Sequence, residues 1–178
     1  MRLLDFLKIK IRGSLNLKKL IKEGLVVGDN FNAMEGTIID PGHCWLIEIG
    51  NNVTLAPRVH LLAHDASMKK SLGYVKLGKV KIGNNVFIGA NTTVLPNVTI
   101  DDNTIIGAGS VVSKSLLGGG VYCGNPCKKL FSYEEWLEKI KRKYDESPKF
   151  DASYKIGNIT LEKKEEMKNK IIEYGYIL

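Results

Sequence analysis

The stretch KIGNNVFIGANTTVLPNVTIDDNTIIGAGSVV, residues 81–112, decides the fold. Ile82, Ile88, Val94, Ile100, Ile106 and Val112 stand six residues apart without an error. An amphipathic helix repeats its apolar face at three, four and seven residues, and a half-buried strand repeats at every second residue. Period six fits neither. It fits a coiled β-structure in which each hexad builds one short side. Four residues after each of the first five aliphatics comes a second small or aliphatic residue: Val86, Thr92, Val98, Thr104 and Ser110. The pattern predicts that both point inward from opposite ends of one short strand. Asn84, Asn85, Asn91, Asn97, Asp101, Asp102 and Asn103 crowd the corners, and Gly83, Gly89 and Gly107 directly follow three of the aliphatics. These residue types accept the tight or left-handed backbone that corners need. Hexapeptide repeats are a signature of parallel β-helices.

Toward the N-terminus the same phase holds at Ile49, Leu55 and Leu61, with Val53 and Val59 at the second inward position. Val27–Gly28–Asp29–Asn30–Phe31 opens a first, imperfect hexad, and MEGTIIDPGHCW (34–45) breaks the period. From Ile49 to Ile82 is five and a half hexads, so the phase slips and an excursion leaves the coil at HDASMKKSLGYVKLGK (64–79). A loop thrown from a rigid scaffold is a usual place for function. Residues 15–25 predict a helix with Leu17, Leu20 and Ile21 on one face and Gly24 as its C-cap, placed to plug the open end of the coil. After Val112 the pattern decays through Gly118–Gly119–Gly120 into VYCGNPCKKL (121–130). Ser132 with Glu135 makes a capping box for a helix over 133–144, with Trp136, Leu137, Ile140 and Tyr144 on one side. Residues 145–159 read as a loop and 160–174 as a strongly charged helix. The expected organisation is a helical cap at 1–26, a β-helix at 27–130 with a loop at 65–79, and a helical extension at 131–178.

With 178 residues, 44% of them hydrophobic, the chain is the size of one ordinary domain. Its three cysteines, Cys44, Cys123 and Cys127, form no CxxC pair, which points away from a disulfide framework or a zinc ribbon and toward small thiols in a reducing cytoplasm. MRLLDFLKIKIR has neither the apolar length of a membrane span nor a small-residue cleavage site, so a cytoplasmic location is expected. The net charge is +7, and residues 1–26 hold seven of the basic residues (Arg2, Lys8, Lys10, Arg12, Lys18, Lys19, Lys22). A solvated face, an anionic small molecule and a membrane-surface helix over Leu3–Ile11 are the readings of that charge. No motif interleaves aromatic with basic residues, so nucleic acid is not an expected partner.

IGNNV, FIGANTTVLPNVTI, IIGAGSVVSK and GNPCK, together with a histidine before the excursion, make the chain resemble the hexapeptide-repeat acyltransferases. Over about residues 25–130 it looks like the sugar O-acetyltransferases of the galactoside, maltose and nodulation type. The resemblance implies a left-handed parallel β-helix of triangular section with three hexads to a coil. It also implies a homotrimer with sites between neighbouring subunits, and transfer of acetyl from acetyl-coenzyme A to a hydroxyl of a sugar or polysaccharide precursor. A histidine would act as general base in a ternary complex, without an acyl-enzyme and without a metal.

Carried onto this chain, the base is His64, with His43 as the fallback; His60, beside the inward Leu61, should face outward. His64 is followed by Asp65 where the family often has Pro. Asp65 reads first as a turn residue; it or Glu48, from an adjacent coil, could orient the ring. Phe87, where the family often has Trp, would lie near the thioester, and Ala90 and Ala108 would present main chain to pantetheine. Ser113, Lys114 and Lys128, assisted by Lys129, would meet the nucleotide and phosphates, with the turn Gly124–Asn125–Pro126 placing Lys128. The family's sugar-contacting Asn falls near Ala33–Met34, where this chain has none; Asn32, Glu35, Asp40 and Asp65 are the nearby acceptor-binding candidates. Three rival readings remain: N-acetylation of an amino sugar or a chloramphenicol-like drug, a γ-carbonic-anhydrase-like zinc enzyme using His43, His60 and His64, and a non-catalytic scaffold whose helices bind partners.

Overall fold

The computed structural model describes residues 15–178, so the basic residues and the surface helix expected within 1–14 lie outside it. The chain divides into two compact units at Tyr133/Glu134. In the first, short parallel strands wind into stacked coils of three sides each. The first coil runs through β1 (Val26–Val27), β2 (Asn32–Ala33) and β3 (Ile38–Ile39). The second runs through β4 (Ile47–Ile49), β5 (Thr54–Leu55) and β6 (His60–Leu61). The excursion follows, with β7 (His64–Asp65) and β8 (Lys76–Leu77). The third coil is β9 (Val80–Ile82), β10 (Phe87–Ile88) and β11 (Thr93–Val94), and the fourth β12 (Val98–Ile100), β13 (Thr104–Ile106) and β14 (Val111–Val112). Then come β15 (Gly120–Cys123), parallel to β13, and β16 (Lys128–Ser132), antiparallel to β15. Sheet A is β1-β4-β9-β12, sheet B is β2-β5-β10-β13-β15-β16 and sheet C is β3-β6-β11-β14.

The pairing register gives the arithmetic of the coil. Ile82 pairs with Ile100, Ile88 with Ile106 and Val94 with Val112, each pair three hexads apart in sequence. Ile49 pairs with Ile82, so those two rungs are separated by three hexads and an excursion worth two and a half more. Val27 pairs with Ile49, across three hexads and a four-residue insertion. The period is therefore less broken than the sequence pattern indicates. Val27, Ala33 and Ile39 keep the six-residue phase, so Met34–Asp40 stay on the coil. Only the stretch around a single 3₁₀ turn, Cys44–Leu46, departs from it.

Both predicted inward positions are buried along the whole repeat, from Val53 and Leu55 to Ser110 and Val112. Burial of each such aliphatic contributes about 1.5–3 kcal/mol. At each A-to-B corner the left-handed residue is an asparagine: Asn30, Asn52, Asn85 and Asn103, with φ of 54–56°. Their amides form a ladder parallel to the coil axis. Asn30 Nδ2 donates to Asn52 Oδ1, Asn52 to Asn85 and Asn85 to Asn103, at 3.0, 3.0 and 3.1 Å. Gly83 serves the same corner for a different reason, close approach: a Cβ there would lie 2.2 Å from Asp102 Oδ1.

Helix α1 (Leu17–Lys22) is capped by Asn16, whose Oδ1 accepts from Lys19 N at 3.0 Å. Leu20 and Leu25 join the coil's core, but Ile21, expected on the buried face, is exposed. The excursion is more ordered than the loop expected. Around the short helix α2 (Lys69–Leu72), β7 and β8 pair antiparallel, His64 opposite Leu77.

In the second unit, α3 (Tyr133–Glu146) leaves Leu137 and Tyr144 of its expected apolar side exposed. The expected loop contains β17 (Lys149–Phe150), and α4 (Leu161–Lys170) ends four residues before the predicted limit. Beyond it, β18 (Tyr176–Ile177) pairs in parallel with β17. No helix among the described residues is long and apolar enough to cross a membrane.

The ladder yields a stability prediction. In a urea titration, Asn85→Gly should be less stable than the parent, because it loses two ladder bonds. Asn85→Ala should be less stable still, by about 1–2 kcal/mol, the cost of the left-handed backbone for a residue with a Cβ. Equal stability of the two variants would refute the backbone contribution.

Candidate active site

The corner between sheets C and A is where the coil opens. Between β11 and β12 it is a tight turn, Leu95–Pro96–Asn97. One coil lower it throws out the β7–β8 excursion, and one lower again, between Ile39 and Ile47, it carries the four-residue insertion. Register stacks these segments. Asp40 N donates to Leu61 O at 2.9 Å, which fixes Asp40 one rung below Leu62, and Leu62 N donates to Val94 O at 3.0 Å.

The Asp40 carboxylate is buried and held from three sides. Oδ1 accepts from Gly42 N at 3.0 Å and His43 N at 3.2 Å, and Oδ2 accepts from Ala63 N at 2.9 Å. Oδ2 also meets His64 Nδ1 at 2.5 Å. Burial pushes the Asp40 carboxyl up, but the His64 hydrogen bond and the amides of Ala63 and Gly42 outweigh it, and its pKa lies below the ordinary 3.8. An ionised carboxylate only accepts, so the ring proton of neutral His64 sits on Nδ1 and the Nε2 lone pair is free. The His64 side chain is 38% exposed, open to a reacting group. A neutral imidazole held in this way can accept a proton at Nε2.

His43 joins the pair. Its ring lies 5.0 Å from that of His64 and 5.4 Å from that of the exposed Trp45. His43 Nδ1 is buried and has no hydrogen-bond partner, standing 3.8 Å from Asp40 Oδ1. His60 lies on β6 between Ile38 and Thr93. Among the described residues the ligand types that converge are Asp40, His43 and His64, without His60, so the three-histidine zinc arrangement is not assembled.

Several expectations about the acid residues change. The carboxylate that meets His64 is Asp40, not Glu48, and Asp65 is the turn residue expected of it. Asp65 Oδ1 accepts from Ser67 N at 2.9 Å and so shapes its own turn, and Glu48 is exposed on β4 opposite Lys81. Asp40, expected to face an acceptor, is only 1% exposed and spends both oxygens on the protein. Asn32 and Glu35 are exposed, on β2 and at the corner before sheet C, across that sheet from His64.

The residues expected to hold coenzyme A fall in two groups. Gly109 N donates to Ala90 O at 2.8 Å, so Ala90 and Ala108 stack at the corner before sheet C, one side on from the exposed Phe87 of β10. Ser113 and Lys114 are exposed at the corner after sheet C, the corner of His64. They follow β14, two rungs from β6, a rise of about 10 Å at the usual strand spacing. The exposed Lys128 opens β16 opposite Cys123 in sheet B, and Cys127 N donates to Val111 O at 2.9 Å at the start of β14, so Lys128 lies at the corner before sheet C, with Ala90 and Ala108.

Residues 79–114 match the family model described as bacterial transferase hexapeptide (six repeats). The chain is 36% identical over 156 residues to protein CapG of Staphylococcus aureus, covering 84% of this chain and 90% of that one. It is 35% identical over 131 residues to galactoside O-acetyltransferase of Escherichia coli, covering 71% and 62%. A solved galactoside acetyltransferase in complex with coenzyme A superposes with a TM-score of 0.58 at 33% identity, covering 65% of this chain and 58% of that one. The chain spans 54% and 62% of the length of two of the curated relatives that it matches. Its unbroken hexads, its three-sided coil and its alignment to nine-tenths of CapG make the chain a member of the hexapeptide-repeat transferases, with the left-handed β-helix of that family.

Proposed function

We propose that the chain transfers acetyl from acetyl-coenzyme A to a hydroxyl of a sugar or polysaccharide precursor, with His64 as general base. The observation that carries this reading is the buried Asp40 carboxylate on His64 Nδ1, which leaves Nε2 free at the surface. The acceptor hydroxyl gives its proton to Nε2 as its oxygen attacks the thioester carbon. Asp40 stabilises the imidazolium that forms. The tetrahedral intermediate collapses, the C–S bond breaks and the imidazolium returns the proton to the departing thiolate. No acyl-enzyme and no metal take part.

Lys114 and Lys128 face the phosphates of the cofactor as point charges, with Ser113 beside Lys114. Ala90 and Ala108 offer main chain to pantetheine, and Phe87 supplies an aromatic wall. Galactoside O-acetyltransferase, among the relatives, supports a sugar acceptor. Asn32, Glu35 and Asp65 are exposed or half-exposed polar groups available to the acceptor. The reading includes a homotrimer, in which neighbours complete each site, working in the cytoplasm where acetyl-coenzyme A is available.

His64→Ala should lower turnover by about 10²–10⁴ while coenzyme A affinity holds. Asp40→Asn should also lower turnover, since an amide can donate to Nδ1 and turn the ring proton toward Nε2. Free-thiol release across a panel of sugar acceptors measures both, and full activity of His64→Ala would overturn the assignment of the base. A second prediction concerns the cofactor. Lys128→Ala should weaken coenzyme A binding several-fold at low salt and less at high salt, where exposed charges are screened. Calorimetric affinities equal to the parent's at low salt would remove Lys128 from the phosphate site.

A further inference from the structure

We propose that Asp40, His43 and His64 bind one divalent transition-metal ion of the zinc type, and that this ion withdraws His64 from proton transfer. One potential ligand atom from each of the three lies within 4.8 Å of the others. Two imidazoles and a carboxylate form a borderline donor set, which zinc accepts and magnesium does not.

His43 adds an independent observation. Its Nδ1 is buried without a hydrogen-bond partner, whereas buried polar atoms are ordinarily paired. It stands 3.8 Å from Asp40 Oδ1, and a cation between them would satisfy both. Asp40 is already oriented by the amides of Gly42, His43 and Ala63, the outer support that fixes a ligating carboxylate. Tetrahedral zinc with bonds near 2.0–2.1 Å holds its ligand atoms about 3.3–3.5 Å apart. His43 therefore has to swing inward by about an ångström, and His64 Nδ1 and Asp40 Oδ2, in contact at 2.5 Å in the free protein, have to part by about as much. The His43 side chain is partly exposed and sits at the start of the Cys44–Leu46 turn. Three protein ligands leave the fourth position to solvent.

The consequence for His64 follows from its tautomer. Its Nδ1–H donates to Asp40 in the free protein. For Nδ1 to ligate, that proton leaves, and in the neutral ring it resides on Nε2 after exchange through water. The ring's charge is unchanged, but Nε2 now carries a hydrogen and no lone pair. It can no longer accept a proton from a hydroxyl. The ion is thus an inhibitor and not a cofactor. Metal binding stands apart from the proposed acetyl transfer, whereas the inhibition rests on that reading.

Untagged full-length protein, washed with chelator, is titrated with zinc against a chromophoric chelator. The expected result is one equivalent per chain, with no equivalent of magnesium. His43→Ala and His43→Gln, each checked for parental circular dichroism, should bind zinc at least about tenfold more weakly. The double variant Cys123→Ser/Cys127→Ser should retain the equivalent. No saturable equivalent, undiminished binding in both His43 variants, or loss of binding in the cysteine variant would overturn the site. In the second arm, zinc should inhibit acetyl transfer with the midpoint found for binding. Inhibition of each His43 variant, relative to its own zinc-free rate, should need about tenfold more zinc, matching its weaker binding. Full zinc occupancy with an unchanged rate would overturn the withdrawal of His64. An absence of acetyl transfer in zinc-free protein would count against the proposed function, and the titration alone would then decide the metal site.

Discussion

Hydrogen bonding from rung to rung is the constraint on which the molecule depends. Its coil strands are two or three residues long, too short for any one to persist alone, and each is defined by the rungs above and below. The hexad aliphatics supply the apolar column within the prism, and the asparagine amides add a polar column at one corner. Stability of this kind accumulates along one axis, as in other solenoids, and the ends need closure. At one end Leu20 and Leu25 of the helical segment enter the core. At the other, β16 runs antiparallel to β15 and halts the parallel stack.

The three corners are not equivalent. The A-to-B corner is filled by Gly and Asn in close column, and a side chain added at Gly83 would strike Asp102. It has no room for an insertion. The C-to-A corner carries both insertions into the three-hexad repeat, a short one and a long one, on adjacent rungs. Asp40 belongs to the lower and His64 to the upper, so the pair that sets the site's chemistry is a product of stacking. Sequence separation of 24 residues becomes a 2.5 Å contact because register places one segment over the other.

The fold was legible because residues 82–112 keep phase without an exception, and every inward position there is buried. The first coil was harder to read. Its inward residues include Ala33 and Thr37, too modest to announce a hexad, and Pro41 follows at once. Counting Val27, Ala33 and Ile39 as one series would have put Asp40 one coil beneath Leu62 and disclosed its partner. His64 was found through its place before the excursion and its resemblance to a family, not through periodicity. The proximity of His43 was beyond sequence reasoning, because it depends on how a four-residue insertion folds back. The acceptor candidates Asn32 and Glu35 were chosen by nearness in sequence to a family position, and in space they stand across sheet C from His64.

An excursion that leaves and rejoins the coil at one corner changes nothing about the rungs it connects. Its closure cost grows only with the logarithm of its length, roughly 0.6 kcal/mol for each doubling. The length of the excursion is therefore nearly free, while each hexad of the prism is fixed by its pairing register. Pitch is in this sense set by the hexads, and reach by a segment that can lengthen at one corner without disturbing either neighbouring rung.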